Sequence, residues 1–365
     1  MFVTVRQTES HGYGWMDLGV GSFTFVFGLV SPEARQVTEG LRRTVTSVVP
    51  LVLLGAARLV SITWLGYHDP ETEYGIHWNF FFSLAAVRLL SCPLLPLVRE
   101  NKLVWVLAVL VAVLYEGVLT FWIGDWILSD AARDSLLAAN REGVFSSLGF
   151  LAIYLAGVAW GRELFSMQSS LAEMVALARL LALWAGIMWL SLAYSTTFFL
   201  PPSRRLANYT FFTWIVAYNL SILTLFLATD LLLLCLGESV PAGAEVGGTG
   251  RGSRPGRARP RQPRDRPALR RPPRPSGQVE PAAAAKPAEL PLPTVYRVPH
   301  LCQATDYNGL AFFLLANLGT GGVNLCLSTI HTPNLQALLI VLLYQAVLGV
   351  VTATLHKFKI KLKFW

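Results

Sequence analysis

Charge is scarce in this sequence. Of 365 residues, only 14% are Asp, Glu, Lys or Arg, and 53% are hydrophobic; an average soluble domain carries about 25% charged residues. Mean hydropathy is +0.49. A soluble fold of this length cannot hide so much apolar surface, which excludes a purely soluble protein. Cysteine is scarce too. There are four, and no CxxC or Cys/His spacing occurs, so neither a zinc site nor a disulfide framework is supported. Cys92, Cys235 and Cys326 lie in apolar runs and Cys302 just before one, and all four read as free thiols packed as small hydrophobes. The net charge of +8 does not describe a basic surface: residues 251–274 hold ten Arg and one acid, Asp265, and the rest of the chain is close to neutral. That excludes a nucleic-acid-binding domain. A P-loop, a nucleophile elbow and the HxxxxD box of soluble acyltransferases are also missing.

What is present is a series of long apolar runs. A membrane span needs about 20 mostly apolar residues. Nine stretches qualify, near 15–30, 47–66, 76–98, 103–123, 144–161, 174–199, 208–236, 309–327 and 335–355. The first lacks the basic flank and cleavage site of a signal peptide. The sequence therefore predicts an all-α, polytopic membrane bundle of about nine helices, organised as seven spans in 1–236, a linker over 237–300, and two spans with a basic tail in 301–365.

Loop charges orient this array. With residue 1 on the non-cytoplasmic side, the cytoplasmic segments hold Arg35, Arg42 and Arg43, then Arg99 and Lys102, Arg162, the Arg-rich linker, and Lys357, Lys359, Lys361 and Lys363. The opposite side receives the acidic loop HDPETEYG, Arg133 and Arg141 among acids, and Arg204 with Arg205. This is the asymmetry that positive-inside topology requires. The linker repeats Pro and Arg with almost no aliphatic side chains, a composition that predicts disorder. It reads as a solvated insertion, with electrostatic contact to anionic lipid as the alternative.

Polar groups in spans are costly and therefore informative. Segment 66–84 sets Asp69, Glu71 and Glu73 at a membrane edge, followed by His77 and Asn79. A helix beginning near Glu73 places Glu73 and His77 on one face at i, i+4, the geometry of a base and its orienter. Helix capping by the acids and an ordinary interfacial histidine are the alternatives. Asp17 lies inside the first span. Arg58, in the second, is its candidate partner or a phosphate ligand, with a purely structural ion pair as the other reading. Asn140 and Arg141 open the fifth span; Arg suits phosphate, and an anchored helix start is the alternative. Gly19 and Gly21, like the Gly-rich run 317–324, read as close helix packing. The acids and His77 share one expected face of the membrane with Glu9, His11, Arg141, Glu142 and His331, and they name no substrate.

The phrases YGWMDLGVGSF, TEYGIHWNFFFSL, NREGVFSSLGFLAIYLAG, RRLANYTFFTWIVAYNL and FFLLANLGTGGVNL occur in order across nearly the whole chain outside the linker. Together they resemble the inositol acyltransferase family of GPI-anchor biosynthesis, the phosphatidylinositol-glycan class W family. The resemblance implies a multi-pass endoplasmic reticulum enzyme that moves a fatty acyl group, typically palmitoyl, from acyl-CoA to the inositol 2-hydroxyl of glucosaminyl-phosphatidylinositol. Acyl-CoA is then a co-substrate and no cofactor or metal is bound. Family members have about thirteen spans, so this chain resembles the family without its first four. The family has Lys where Gln7 stands, and an Asp about ten residues further upstream. The resemblance assigns acid–base work to that pair and implies little transfer by this chain alone. It leaves Glu73, His77 and Asp17 as the catalytic candidates here, with Asn79, Arg58, Asn140 and Arg141 as substrate-binding ones. A lipid or small-molecule transporter and a non-catalytic relative are the competing classes, and the oligomeric state is open.

Overall fold

A computed structural model of the chain describes residues 8, 10–37, 39–65, 72–98, 100–166, 170–238, 300–326 and 332–362. The regular elements among them are helical, as the hydropathy pattern requires: a chain that spans lipid must satisfy its backbone hydrogen bonds within each segment. The order is α1 Trp15–Leu29, α2 Leu41–Leu65, α3 Phe80–Leu94, α4 Asn101–Val118, α5 Gly124–Leu128, α6 Leu136–Ala139, α7 Arg141–Ser166, α8 Leu171–Phe198, α9 Tyr209–Glu238, α10 His300–Tyr307, α11 Gly309–Cys326 and α12 Asn334–Lys357. Seven helical stretches are long and apolar enough to cross a membrane, and α1 and α11 are shorter apolar helices. All nine expected spans coincide with one of these. The short helices α6 and α10 carry no hydropathy signal. The linker 237–300, apart from its end residues, and Asp69, Glu71 and His331 lie outside the described residues.

The chain divides into two compact units, 1–290 and 291–365. In the first, α7 is the central helix: 83% of its apolar window is buried, against 11% for α2. Apolar tails of lipid give helices no hydrophobic reason to associate, so close packing of small residues does that work. The seam between α1 and α7 shows it. A Cβ on Gly28 would stand 2.2 Å from the Tyr154 carbonyl oxygen, one on Gly157 2.1 Å from that of Phe25, and one on Gly161 2.3 Å from that of Leu29. The two backbones touch, and only glycine permits it. Gly21 of the expected packing pair meets Ile215 and Phe211 on α9, whereas Gly19 faces open space. On the other side of α7, Trp160 meets Trp105 of α4 and Trp184 of α8 edge to face, and those two meet each other at 5.3 Å. Such aromatic pairs are each worth about 0.5–1.5 kcal/mol beyond their burial.

Local signals set the helix ends. Ser170 accepts from the Glu173 N–H and so caps the start of α8. Asn79 accepts from the N–H groups of Phe81 and Phe82, and its amide donates to the Gly55 carbonyl of α2 at 2.9 Å. This cap corrects one expectation: α3 begins at Phe80, not near Glu73. Residues 72–79 are a turn whose Gly75 has φ +113°, so Glu73 and His77 do not share a helical face. Between α4 and α5 the helix widens to a π turn over Leu119–Ile123. In the second unit, α10 and α11 both contact α12, and a Cβ on Gly319 would meet the ring of Tyr344. Cys92 and Cys302 are free thiols; Cys92 is partly buried, and Cys235 and Cys302 are exposed.

Candidate active site

Alternation of the helices in the first unit brings segments 8–14, 72–79, 129–140 and 199–208 to one end, called here the upper face. They are stitched together by backbone bonds: Gly12 N–H to Pro202 O, Ile76 N–H to Ala139 O, and Gly143 N–H to Tyr74 O. These are the loops that the charge pattern assigned to one side of the membrane.

Asp17 lies at the centre of one cluster and is fully buried. One of its carboxylate oxygens accepts from the backbone and side chain of Thr8, at 3.0 and 2.8 Å. The other stands 3.1 Å from Nε of Arg204. That contact is a charge pairing, outside directed hydrogen-bond geometry. The counter-ion of Asp17 is therefore Arg204, not Arg58 as its place in the second span suggested, because the 199–208 loop folds over the start of α1. Arg204 continues to Glu73, 3.6 Å away, and its guanidinium lies 5.1 Å from the ring centre of Tyr74. Burial pushes the Tyr74 phenol up to about 12, against the pull of Arg204 and of Arg58. Arg58 thus sits in the electrostatic reach of the same cluster, half-buried. His11 lies on the same strap as Thr8. Burial holds its imidazole below the usual histidine value, and its Nε2 is enclosed with no hydrogen-bond partner among the described residues.

The second cluster surrounds Glu142, which is fully buried. Arg133 grips it with two nitrogens at 3.1 and 2.7 Å, Arg205 adds a third at 2.8 Å, and Nε of Arg141 stands at 3.7 Å. Arg205 also donates to the Ile127 carbonyl. Arg141 is 1% exposed and gives its guanidinium to the carbonyls of Ala131 and Ser129. Those donors are aimed at the backbone of the 129–140 segment. Asn140 behaves alike. It accepts from the His77 N–H at 2.8 Å and donates to the Leu136 carbonyl, which ties loop 72–79 to the 129–140 segment. Asn79, buried, serves as the α3 cap.

The chemistry open to substrate narrows accordingly. Asp17 is buried and held by Thr8 and Arg204. Glu73 is half-buried and, among the described residues, makes only a long contact to Arg204, and the His77 side chain is exposed. Among the described residues they are an accessible acid and an exposed imidazole of the upper face, where Asp130 and Asp134 are exposed as well. Sequence reading set Glu142 on this face but missed that Arg133 and Arg205 close on it and that Arg204 pairs with Asp17; the signal was the Arg204–Arg205 doublet, two cations on the side where the acids collect. It also missed a node at the opposite face, where Arg88, deep in α3, donates to Glu33, to Glu39 at 2.7 Å and to the Tyr154 hydroxyl at 2.7 Å. An arginine inside a span is itself a signal that acids must come to meet it. Gln7 lies outside the described residues.

Comparison with known proteins gives one consistent result. The GWT1 family model matches residues 5–355. The human glucosaminyl-phosphatidylinositol-acyltransferase PIGW is 33% identical over 379 residues, covering 98% of this chain and 69% of the relative. Its bovine counterpart is 34% identical with the same coverage. GPI-anchored wall transfer protein 1 of Aspergillus fumigatus is 31% identical, covering 97% of this chain and 67% of the relative. The similarity takes in both helical units and the upper-face segments that hold Asp17, Glu73, Glu142 and Arg204, and on it the chain belongs to the GWT1 family.

Proposed function

We propose that the chain serves acyl transfer in GPI-anchor biosynthesis, moving a fatty acyl group, palmitoyl by preference, from acyl-CoA to the inositol 2-hydroxyl of glucosaminyl-phosphatidylinositol in the endoplasmic reticulum membrane. The observation that carries this reading is the 33% identity to the human acyltransferase over 98% of the chain. The upper face supplies what such a transfer needs. Glu73 and His77 are accessible groups able to exchange a proton with the inositol hydroxyl. Arg58, within electrostatic reach of Tyr74, is the candidate cation for the phosphodiester. Asp17 and Arg204 position the strap that carries Thr8, next to Gln7, and Asn79 and Asn140 hold the Glu73–His77 turn in place. By the charge of its loops this face is luminal.

The test is expression of the chain in cells that lack inositol acylation, alone and fused to the N-terminal segment of a mammalian relative. GPI intermediates are then scored by mass for an inositol-linked acyl chain. Acylation by the fusion, lost on His77→Ala and retained on His356→Ala, is the expected result. A fusion that reaches the endoplasmic reticulum folded and leaves every intermediate unacylated would overturn the reading.

A further inference from the structure

The buried acids Asp17, Glu33 and Glu142 each meet an arginine. Glu116, in the last turn of α4, does not. A membrane-spanning helix is a costly place for an unpaired acid. One oxygen of Glu116 accepts from the Tyr209 N–H at 2.8 Å, which caps the first turn of α9. Among the described residues no Lys, Arg or His pairs with it, and no protein group donates to its other oxygen.

That side chain lines a cavity of about 380 Å³ at the upper face, within the usual range of about 300–1,000 Å³ for small-molecule sites. Three observations give the cavity a chemical character. First, the π turn Leu119–Ile123 forms part of its wall; such turns are rare and gather at functional sites. A Cβ on Gly124 would strike the Leu119 carbonyl at 2.5 Å, so glycine is required for this shape. Second, the polar lining is acidic, with Glu116 inside and Asp125 on the exposed rim, while Phe198 and Phe199 supply an apolar wall. Carboxylates call for a cation, and aromatic faces call for the C–H face of a sugar ring or an acyl chain. Third, the cavity adjoins the candidate active site through one loop. Asn208, in its lining, caps α9 four residues beyond Arg204, which pairs with Asp17.

We propose that this cavity binds the primary ammonium group of an amino-sugar lipid, the unacetylated glucosamine of the acceptor, with Glu116 as its counter-charge and Asp125 at the rim. The inference rests on the acceptor named under the proposed function. It predicts selectivity for a free amine over an N-acetylated one, because acetylation removes both the charge and two donors.

Binding, read without turnover, tests this. The full chain in lipid nanodiscs is titrated with glucosaminyl-phosphatidylinositol, with its N-acetyl form, and with phosphatidylethanolamine, which carries the same ammonium on a different head. Wild type is expected to prefer the free amine to the N-acetyl form by about tenfold or more, the scale of one charge-assisted hydrogen bond. Glu116→Gln keeps an amide oxygen for the Tyr209 N–H, so α9 stays capped, yet the preference should collapse toward unity. Asp125→Asn, at an exposed position, should lower it partway. Glu100→Gln, at the opposite end of α4, should leave it unchanged. Full preference in both variants, or equal binding of the two acceptors by wild type, overturns the inference and leaves the acyltransferase reading standing. Phosphatidylethanolamine binding as well as the glucosaminyl lipid overturns the amino-sugar assignment in favour of a general ammonium site. Wild type that binds neither acceptor sinks the acceptor reading itself and this inference with it.

Discussion

Replacing Glu142 by Gln asks whether the upper face is held by charge or by packing. Glu142 is wholly buried, and its carboxylate meets Arg133 through two nitrogens, Arg205 through one and Arg141 at longer range. The side chains of those arginines are 17%, 10% and 1% exposed. Gln preserves shape and one acceptor oxygen. It removes the charge that neutralises three guanidinium groups, none of which can turn out to water without leaving its backbone carbonyls. Two unit charges about 4 Å apart interact by about 4 kcal/mol at an effective dielectric of 20, and removing one partner of a buried ion pair typically costs about 3–5 kcal/mol. A loss of about 3–5 kcal/mol is therefore expected. At about 2–4 °C per kcal/mol for a body of roughly 150–250 residues, it should lower the melting temperature by roughly 10 °C. The assay is fluorescence-detected size exclusion after heating in detergent. Removing a cation as well, in Glu142→Gln with Arg205→Met, should recover part of the loss, with a coupling of about 0.5–3 kcal/mol. Added salt should change little, because the node is shielded from solvent ions. A melting temperature within about 2 °C of wild type would refute the reasoning and show that the helices alone hold loop 129–140.

Gly157→Ala should destabilise by about 1–3 kcal/mol, since its Cβ meets a backbone carbonyl that cannot move aside, whereas Gly19→Ala, facing open space, should be neutral in the same melting assay. Asn79→Ala should cost about 1 kcal/mol or more from the lost cap of α3, and should also expose the 72–79 turn to protease, because the same side chain holds that turn to α2. The strap carrying His11 should loosen in acid. Burial lowers the His11 pKa, so the released strap binds the proton more tightly than the packed one, and stability falls as pH drops below the ordinary value of 6.5. Limited proteolysis near residues 8–14 should rise there in wild type and lose that pH dependence in His11→Gln.

The spans were legible because lipid imposes a length and a composition that no other environment does, and the grouping of loops was legible because arginine and lysine distribute unevenly across a membrane. Helix ends were less so. Glu73 and His77 fit a helical repeat by spacing, yet a single Asn79 two residues beyond His77 supplies a better cap, and hydropathy has no view of caps. Pairing was least legible. Asp17 had a nearby arginine in sequence order, Arg58, and took one from a loop folded back from far along the chain. Glu116 drew no attention because its neighbours are uniformly apolar and its partner is a backbone N–H, which leaves no mark in composition. The close seam of α1 and α7 was half visible: glycines in spans announced close packing but not which helix each would meet.

That seam and the Asp17–Arg204 pair together constrain how the protein is made. The seat of α1 is α7, and the counter-charge of Asp17 follows it by roughly 190 residues, which at about 5–20 residues per second is roughly 10–40 s of synthesis. Until α7 emerges the glycine groove of α1 is unfilled, and throughout the interval Asp17 lacks its arginine. The nascent α1 must wait at the edge of the translocation channel or in a chaperone until the Arg204 loop emerges. Variants that weaken the pair should then be cleared by quality control during synthesis, before any defect of the finished protein is felt.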